Sequence, residues 1–181
     1  MARDAIWAST DPAHMIAHPP VKSEEIALRR ASSSDSEFAY EASLTIRQYV
    51  ELTWGSWSEA DGRARTASDA KAGRSQIVQL ASVPVGLLCV DTFETHIQLD
   101  QLYIIPPYQR RGIGAHVLRM VLADARSRRL PVRLRVLQVN PARRFYEHHG
   151  FRVVSETPER FFMEHQGAHS SSDHPPILND T

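Results

Sequence analysis

The feature that most restricts the fold is a run of three strand-period segments, Gln76 to Ala81, Val85 to Phe93 and His96 to Ile105, joined by very short connections. The expected turns fall at Ser82-Val83-Pro84 and near Glu94-Thr95. Strands so joined form an antiparallel meander, because a parallel neighbour needs a long crossover. Pro106-Pro107 then ends the third strand, since proline donates no ladder hydrogen bond and restricts the residue before it. The sheet must splay or stop there.

The chain next changes period. Ile113, Val117, Leu118, Val121, Leu122 and Ala125 recur at helical spacing, with Arg119, Asp124, Arg126 and Arg128 on other faces, which predicts a helix from Gly112 to about Arg129. Val132, Leu134 and Val136 alternate with Arg133, Arg135 and Leu137, the pattern of a strand. The intervening helix makes this strand a crossover neighbour of the His96 to Ile105 strand, so the pair is expected to be parallel. Asn140-Pro141 opens a short helix through His148, with Asn140 as cap, Pro141 at the first helical position and Gly150 in the terminating position suited to positive φ. A closing hairpin is expected from Phe151 to about His165.

Upstream, Glu25 to Arg30 alternates as a first strand, and Ser33-Ser34-Asp35 offers cap chemistry for a helical region running towards Leu52. Trp54-Gly55-Ser56-Trp57 interrupts it, and Ser58 through Ala72 is polar with weak helical character. The expected class is α+β: a central mixed, mostly antiparallel sheet, flanked by helices. One domain is expected over residues 25–165, with disordered extensions at 1–24 and 166–181.

Composition narrows the partners. Lysine plus arginine and aspartate plus glutamate number 21 each, so no overall field draws nucleic acid or an anionic membrane. Cys89 is the single cysteine, in the apolar setting Leu87-Leu88-Cys89-Val90; an intramolecular disulfide and a cysteine-built zinc site are excluded, and a cytoplasmic protein is expected. No apolar run has the length of a bilayer span. His148-His149 lacks complementary ligand spacing, so no metal is expected.

The chemistry concentrates in Gln109-Arg110-Arg111-Gly112-Ile113-Gly114, between a strand end and a helix start. The first turn of a helix exposes unpaired N–H groups and the positive end of the macrodipole, an anion site to which a diphosphate is suited. Gly112 and Gly114 remove side chains that would hold phosphates off the backbone, and Arg110 or Arg111 adds charge. The loop lacks the Gly-Lys-Ser/Thr of a nucleotide-triphosphate site and the early strand-helix-strand unit of a dinucleotide site.

In this context the chain resembles the GNAT N-acetyltransferase superfamily. Its signature Gln/Arg-x-x-Gly-x-Gly/Ala matches Gln109 to Gly114; Leu99 to Pro106 looks like the preceding strand and Asn140 to Phe151 like the family's Asn-to-Tyr-to-Gly-Phe segment. The resemblance implies a sheet splayed between its two central parallel strands. It also implies acetyl-coenzyme A as cosubstrate, with diphosphate on Gln109, Arg110, Arg111, Gly112, Ile113 and Gly114, and pantetheine along the backbone of Leu102, Tyr103 and Ile104. Tyr146 takes the place of the general acid for the departing thiolate, and Asn140 that of a cofactor contact, although here Tyr146 comes six residues after Asn140, where many relatives have one more intervening residue.

The acceptor implied is an amine, on a small molecule or a protein, attacking the thioester directly without a metal. Some relatives carry a glutamate near the position of Gln98, which cannot accept a proton at neutral pH. Asp100, His96 and Glu51 are the alternative proton acceptors, with Asp100 preferred. Tyr49, Trp54 and Trp57 are expected to wall the acceptor pocket, their aromatic faces favouring a cationic or apolar group. A coenzyme A-binding module without catalysis is the second reading, and nucleic-acid binding through the arginines from Arg126 to Arg144 a third and weaker one. A homodimer is compatible with all of these.

Overall fold

A computed structural model describes residues 25–167, so the extensions expected at 1–24 and beyond residue 167 lie outside the described residues. Seven strands form one sheet in the order β1-β2-β3-β4-β5-β7-β6: β1 Ile26–Arg30, β2 Ser75–Leu80, β3 Val83–Thr92, β4 Ile97–Ile104, β5 Val132–Leu137, β6 Arg152–Glu156 and β7 Arg160–His165. Five helices accompany them: α1 Ser36–Ser43, α2 Arg47–Trp54, α3 Glu59–Lys71, α4 Ile113–Arg128 and α5 Ala142–His148. Among the described residues no helix is long and apolar enough to cross a membrane.

The meander β2-β3-β4 is antiparallel, and β4 and β5 are parallel, as the crossover through α4 requires. Their pairing is short: Ile97 faces Val132, Gln98 faces Arg133, Leu99 faces Leu134, and the ladder then ends. The two strands continue to Ile104 and Leu137 without pairing, and this is the splay. The hairpin β6-β7 folds back so that β7 pairs with β5 and β6 takes the edge.

The apolar spacing of α4 is explained by what it covers. Ile113, Val117, Leu118, Val121 and Ala125 are all buried, joining Leu99, Val132, Leu134, Phe151 and Met163 in the larger of two core clusters. Their burial, at ~25 cal/mol per Å² of apolar surface, anchors α4 across the β4-β5 junction. The other face of the sheet carries a smaller cluster of Ala31, Ala39, Ala42, Ile77 and Leu87 under α1.

Three local details differ from the sequence pattern. The β2-β3 turn lies at Ala81-Ser82, both at positive φ (47° and 71°), and not at Ser82-Val83-Pro84. Left-handed residues at both centres match the twist of a two-residue hairpin, so Val83 and Pro84 already belong to β3. The helical region 35–52 is divided by a 3-10 turn at Leu44–Ile46. There Ser43 and Thr45 donate their hydroxyls to the Tyr40 and Ala42 carbonyls, competing with continuous helical pairing. The weakly helical Ser58 to Ala72 stretch is a thirteen-residue helix, capped by Ser58 Oγ accepting from the Asp61 N–H at 3.2 Å.

Candidate active site

At the end of β4 the chain makes a 3-10 turn over Pro106–Tyr108 and reaches α4 through residues 109–112. Gln109 donates its side-chain N–H to the Ile104 carbonyl at 2.7 Å, which ties the loop back to the strand end. Arg110 and Gly112 both have left-handed backbone, φ 59° and 82°, and this curl ahead of a helix start is the kind that shapes an anion concavity. Positive φ at residue 112 is the local demand for glycine, since a Cβ there would meet nothing within 4 Å. At Gly114 a Cβ would sit in ordinary contact, 3.8 Å from Ile104 and 3.9 Å from Phe145.

The amide groups of the first turn of α4 have no acceptor within the helix. Arg111 packs its guanidinium over Tyr108 at 5.4 Å, and its buried Nε has no hydrogen-bond partner. A buried cationic donor left unmade costs free energy that an anion would recover. The loop thus has the backbone curl and the unpaired cationic donor of an anion site. Arg110 is exposed beside it.

Below the loop, a cavity of about 420 Å³ occupies the opening between β4 and β5, lined by Tyr49, Leu102, Tyr103, Ile104, Gln109, Asn140 and Tyr146. Because Ile105 donates its N–H to Val85 on β3, the alternation of the ladder turns Tyr103's backbone towards β3 and those of Leu102 and Ile104 towards the opening. Of the three strand residues named from the sequence, Leu102 and Ile104 thus turn backbone groups towards the opening, and Tyr103 turns its own away from it.

A second cavity of about 450 Å³ lies under α1, α2 and α3, with Trp54, Trp57, Arg65, Gln101 and Arg160 in its wall. The two cavities share Ile46, Asp100, Tyr103, Arg135 and Leu137. This shared set marks their junction. Trp54 and Trp57 thus line one compartment, while Tyr49 lines the other.

Asp100 reaches the junction through a bulge. Cys89 faces Gln101 and Val90 faces Leu99, so Asp100 is the extra, unpaired residue of β4. Its carboxylate accepts from Arg135 at 3.0 Å and lies 3.9 Å from Arg74. The two other proton acceptors expected from the sequence are elsewhere. His96 stacks on Phe93 at 4.8 Å beside the β3-β4 turn, and Glu51 accepts from Arg47 at 2.8 Å; neither lines either of these two cavities. Gln98 is held in the paired part of β4.

Tyr146 is half-buried, edge-on to Phe145 and Phe151 at 5.2 and 5.6 Å. Burial pushes its phenol up to about 12, so the proton stays on oxygen through the physiological range. Burial pushes Tyr103 in the same direction. The cap position of α5 is Pro141, one residue after the expected Asn140, whose Oδ1 accepts from the Ala142 N–H at 2.9 Å just ahead of the helix; Asn140 also lines the first cavity. Cys89, buried in β3, has its thiol pushed up to about 12 by burial and is unreactive.

Sequence reasoning missed Arg65, Gln101, Arg135 and Arg160 as cavity residues. Arg135 had a readable signal, the polar face of β5. Arg65 and Arg160 are simple surface arginines in the linear pattern, and only the packing of α3 and β7 brings them to one cavity.

Comparisons with known proteins agree with this architecture. No curated protein sequence matches. Among solved structures, an N-acetyltransferase from Thermoplasma acidophilum in complex with coenzyme A has 21% identity and a TM-score of 0.62, covering 78% of this chain and 98% of its own. An acetyltransferase from Thermus thermophilus has 20% identity and a TM-score of 0.63, with 78% and 96% covered. An Arabidopsis thaliana protein in complex with the bisubstrate analogue CoA-Ac-MVNAL has 14% identity and a TM-score of 0.54, with 77% and 97% covered. At these identities the likeness is one of fold. The model of the acetyltransferase (GNAT) family matches residues 40–151, more than half of the chain, and the chain belongs to that family.

Proposed function

We propose that the protein transfers an acetyl group from acetyl-coenzyme A to a primary amine by direct attack. The observation that carries this reading is the meeting of two cavities at Asp100, Tyr103 and Arg135, one of them leading from the anion-ready start of α4. The likeness to a coenzyme A complex supports placing the diphosphate at Gln109 to Gly114 and the pantetheine in the β4-β5 opening. A thioester at the end of that arm would lie at the junction, with the acceptor entering from the second cavity.

In the step itself, the neutral amine nitrogen attacks the thioester carbonyl; the C–N bond forms, the C–S bond breaks, and the sulfur leaves with the electron pair. Tyr146 keeps its proton at neutral pH and serves as the donor to the departing thiolate. Asp100 is the proposed acceptor of the proton that the amine loses, directly or through water in the open cavity. Side chains and backbone amides carry every role, so no metal is invoked.

The expected result is release of free coenzyme A thiol with stoichiometric N-acetyl product when the protein, acetyl-coenzyme A and a broad amine panel are combined. One observation favours the second reading, a binding module without transfer: Asp100 is already paired with Arg135. Tight coenzyme A binding in calorimetry with no transfer to any amine would establish it.

A further inference from the structure

The wall of the second cavity carries charge that the transfer chemistry does not use. Arg160 lies over the Trp54 ring at 5.1 Å and has no carboxylate within 4 Å among the described residues. Arg65 has only a 3.8 Å approach to Asp69, a carboxylate already held by Arg74 and by the Gln101 side-chain N–H at 3.0 Å. The cavity's third arginine, Arg135, is occupied by Asp100. Against these guanidiniums, Arg160 unpaired and Arg65 only distantly paired, stands one carboxylate in the wall without an ion pair, Asp61. It sits in the first turn of α3, where the helix N-terminus offsets its charge.

We infer that the acceptor is a small amine that also carries a carboxylate, of amino-acid type, and that Arg65 and Arg160 bind that carboxylate. This rests on the transferase reading above and specifies its substrate class. Guanidinium groups favour carboxylates because their planar donors match two oxygens at once. Trp54, under Arg160, and Trp57 supply apolar wall to the same cavity, which suits the hydrocarbon body of such a molecule. A volume of about 450 Å³ accommodates a single amino acid with solvent to spare. A polyamine is disfavoured: Asp100 is neutralised by Arg135, and a second ammonium would meet arginines.

The test uses the full-length chain with coenzyme A bound and measures calorimetric binding of matched ligands: a panel of apolar amino acids, their carboxamides, the corresponding decarboxylated amines, and a polyamine. Amino acids are expected to bind at least about tenfold tighter than their carboxamides. Arg160→Gln and Arg65→Gln should each remove most of that preference while leaving the carboxamide's affinity within about twofold. Arg160→Lys, which keeps charge without the planar fork, should recover part of it. Equal or tighter binding of carboxamides or polyamine, or no binding by any amino acid, overturns the inference. So does a uniform loss for all ligands in the arginine variants, which would mark a structural role. Amino-acid binding without acetyl transfer would instead sink the transferase reading alone, and transfer to amines lacking a carboxylate preference would sink only this one.

Discussion

The two cavities are built from different materials. The one leading to the anion loop is lined by β4, β5, α5 and one edge of α2, and its Ile104 and Val136 belong to the apolar core that holds Ile113, Val117, Leu118, Leu99 and Leu134. The other is roofed by α2, which buries no residue fully, and by α3, which buries only Thr66 and Asp69. Polar contacts hold this roof: Arg63 to Glu37, Arg74 to Asp69, Gln101 to Asp69, and Trp57 to Tyr40 at 3.3 Å. Gly62 lets α3 approach, since a Cβ there would come within 2.9 Å of Tyr40 and 3.2 Å of Trp57. The lesson is that one side is fixed by non-directional apolar burial and the other by a few directional contacts.

The sharpest way to break this contrast is Asp69→Ala. Asp69 is buried and partners both Arg74 and Gln101, so its loss should cost about 3 kcal/mol and loosen α3, read as a lower melting temperature and faster amide exchange in α2 and α3 than in α4. Exchange that rises equally in α4 would show the two sides to be one cooperative unit. Gly112→Asp attacks the other side, combining left-handed strain with charge repulsion at the anion loop. Coenzyme A affinity should fall about a hundredfold with acceptor binding little changed, and unchanged affinity in calorimetry would remove the loop from the site. Tyr146→Phe should reduce kcat by about thirtyfold while leaving coenzyme A affinity within twofold; full turnover from pH 6 to 9 would dismiss the proton-donor role.

The smallest effect concerns Asp35, at the start of the helical roof. The Arg29 guanidinium holds its carboxyl well below the usual carboxylate range, with help from the Ser32 N–H and hydroxyl. A lowered folded value means the contribution is complete above the unfolded value near 4 and is lost as pH falls towards the folded one. Arg29 is 39% exposed, so screening limits the gain to about 1 kcal/mol. Melting temperature should drop more steeply below pH 4 in the wild type than in Asp35→Asn, and parallel curves would contradict the linkage.

Much of this molecule could be read in advance because its signals are local. The period-2 segments, the double proline, the glycine pair before an amphipathic helix and Asn140-Pro141 each constrain backbone within a few residues, and all appear in the structure close to where they were expected. Departures came where side chains compete with the backbone, as at Ser43 and Thr45, or where turn geometry was set by twist instead of by glycine, as at Ala81-Ser82.

By itself the sequence determined the order of elements, the parallel join of β4 and β5, the anion-ready start of α4 and the position of Tyr146 on the helix after β5. Tertiary structure alone decided which of the three candidate side chains lines the junction: Asp100, lifted out of register by a bulge, and not His96 or Glu51, which line neither of the two cavities. It also decided that Tyr49 parts from Trp54 and Trp57, and that Arg65 and Arg160, 95 residues apart in the chain, line one cavity. The reason is physical. Backbone conformation follows from neighbours in sequence, whereas a charge's partners, and hence its chemistry, follow from neighbours in space.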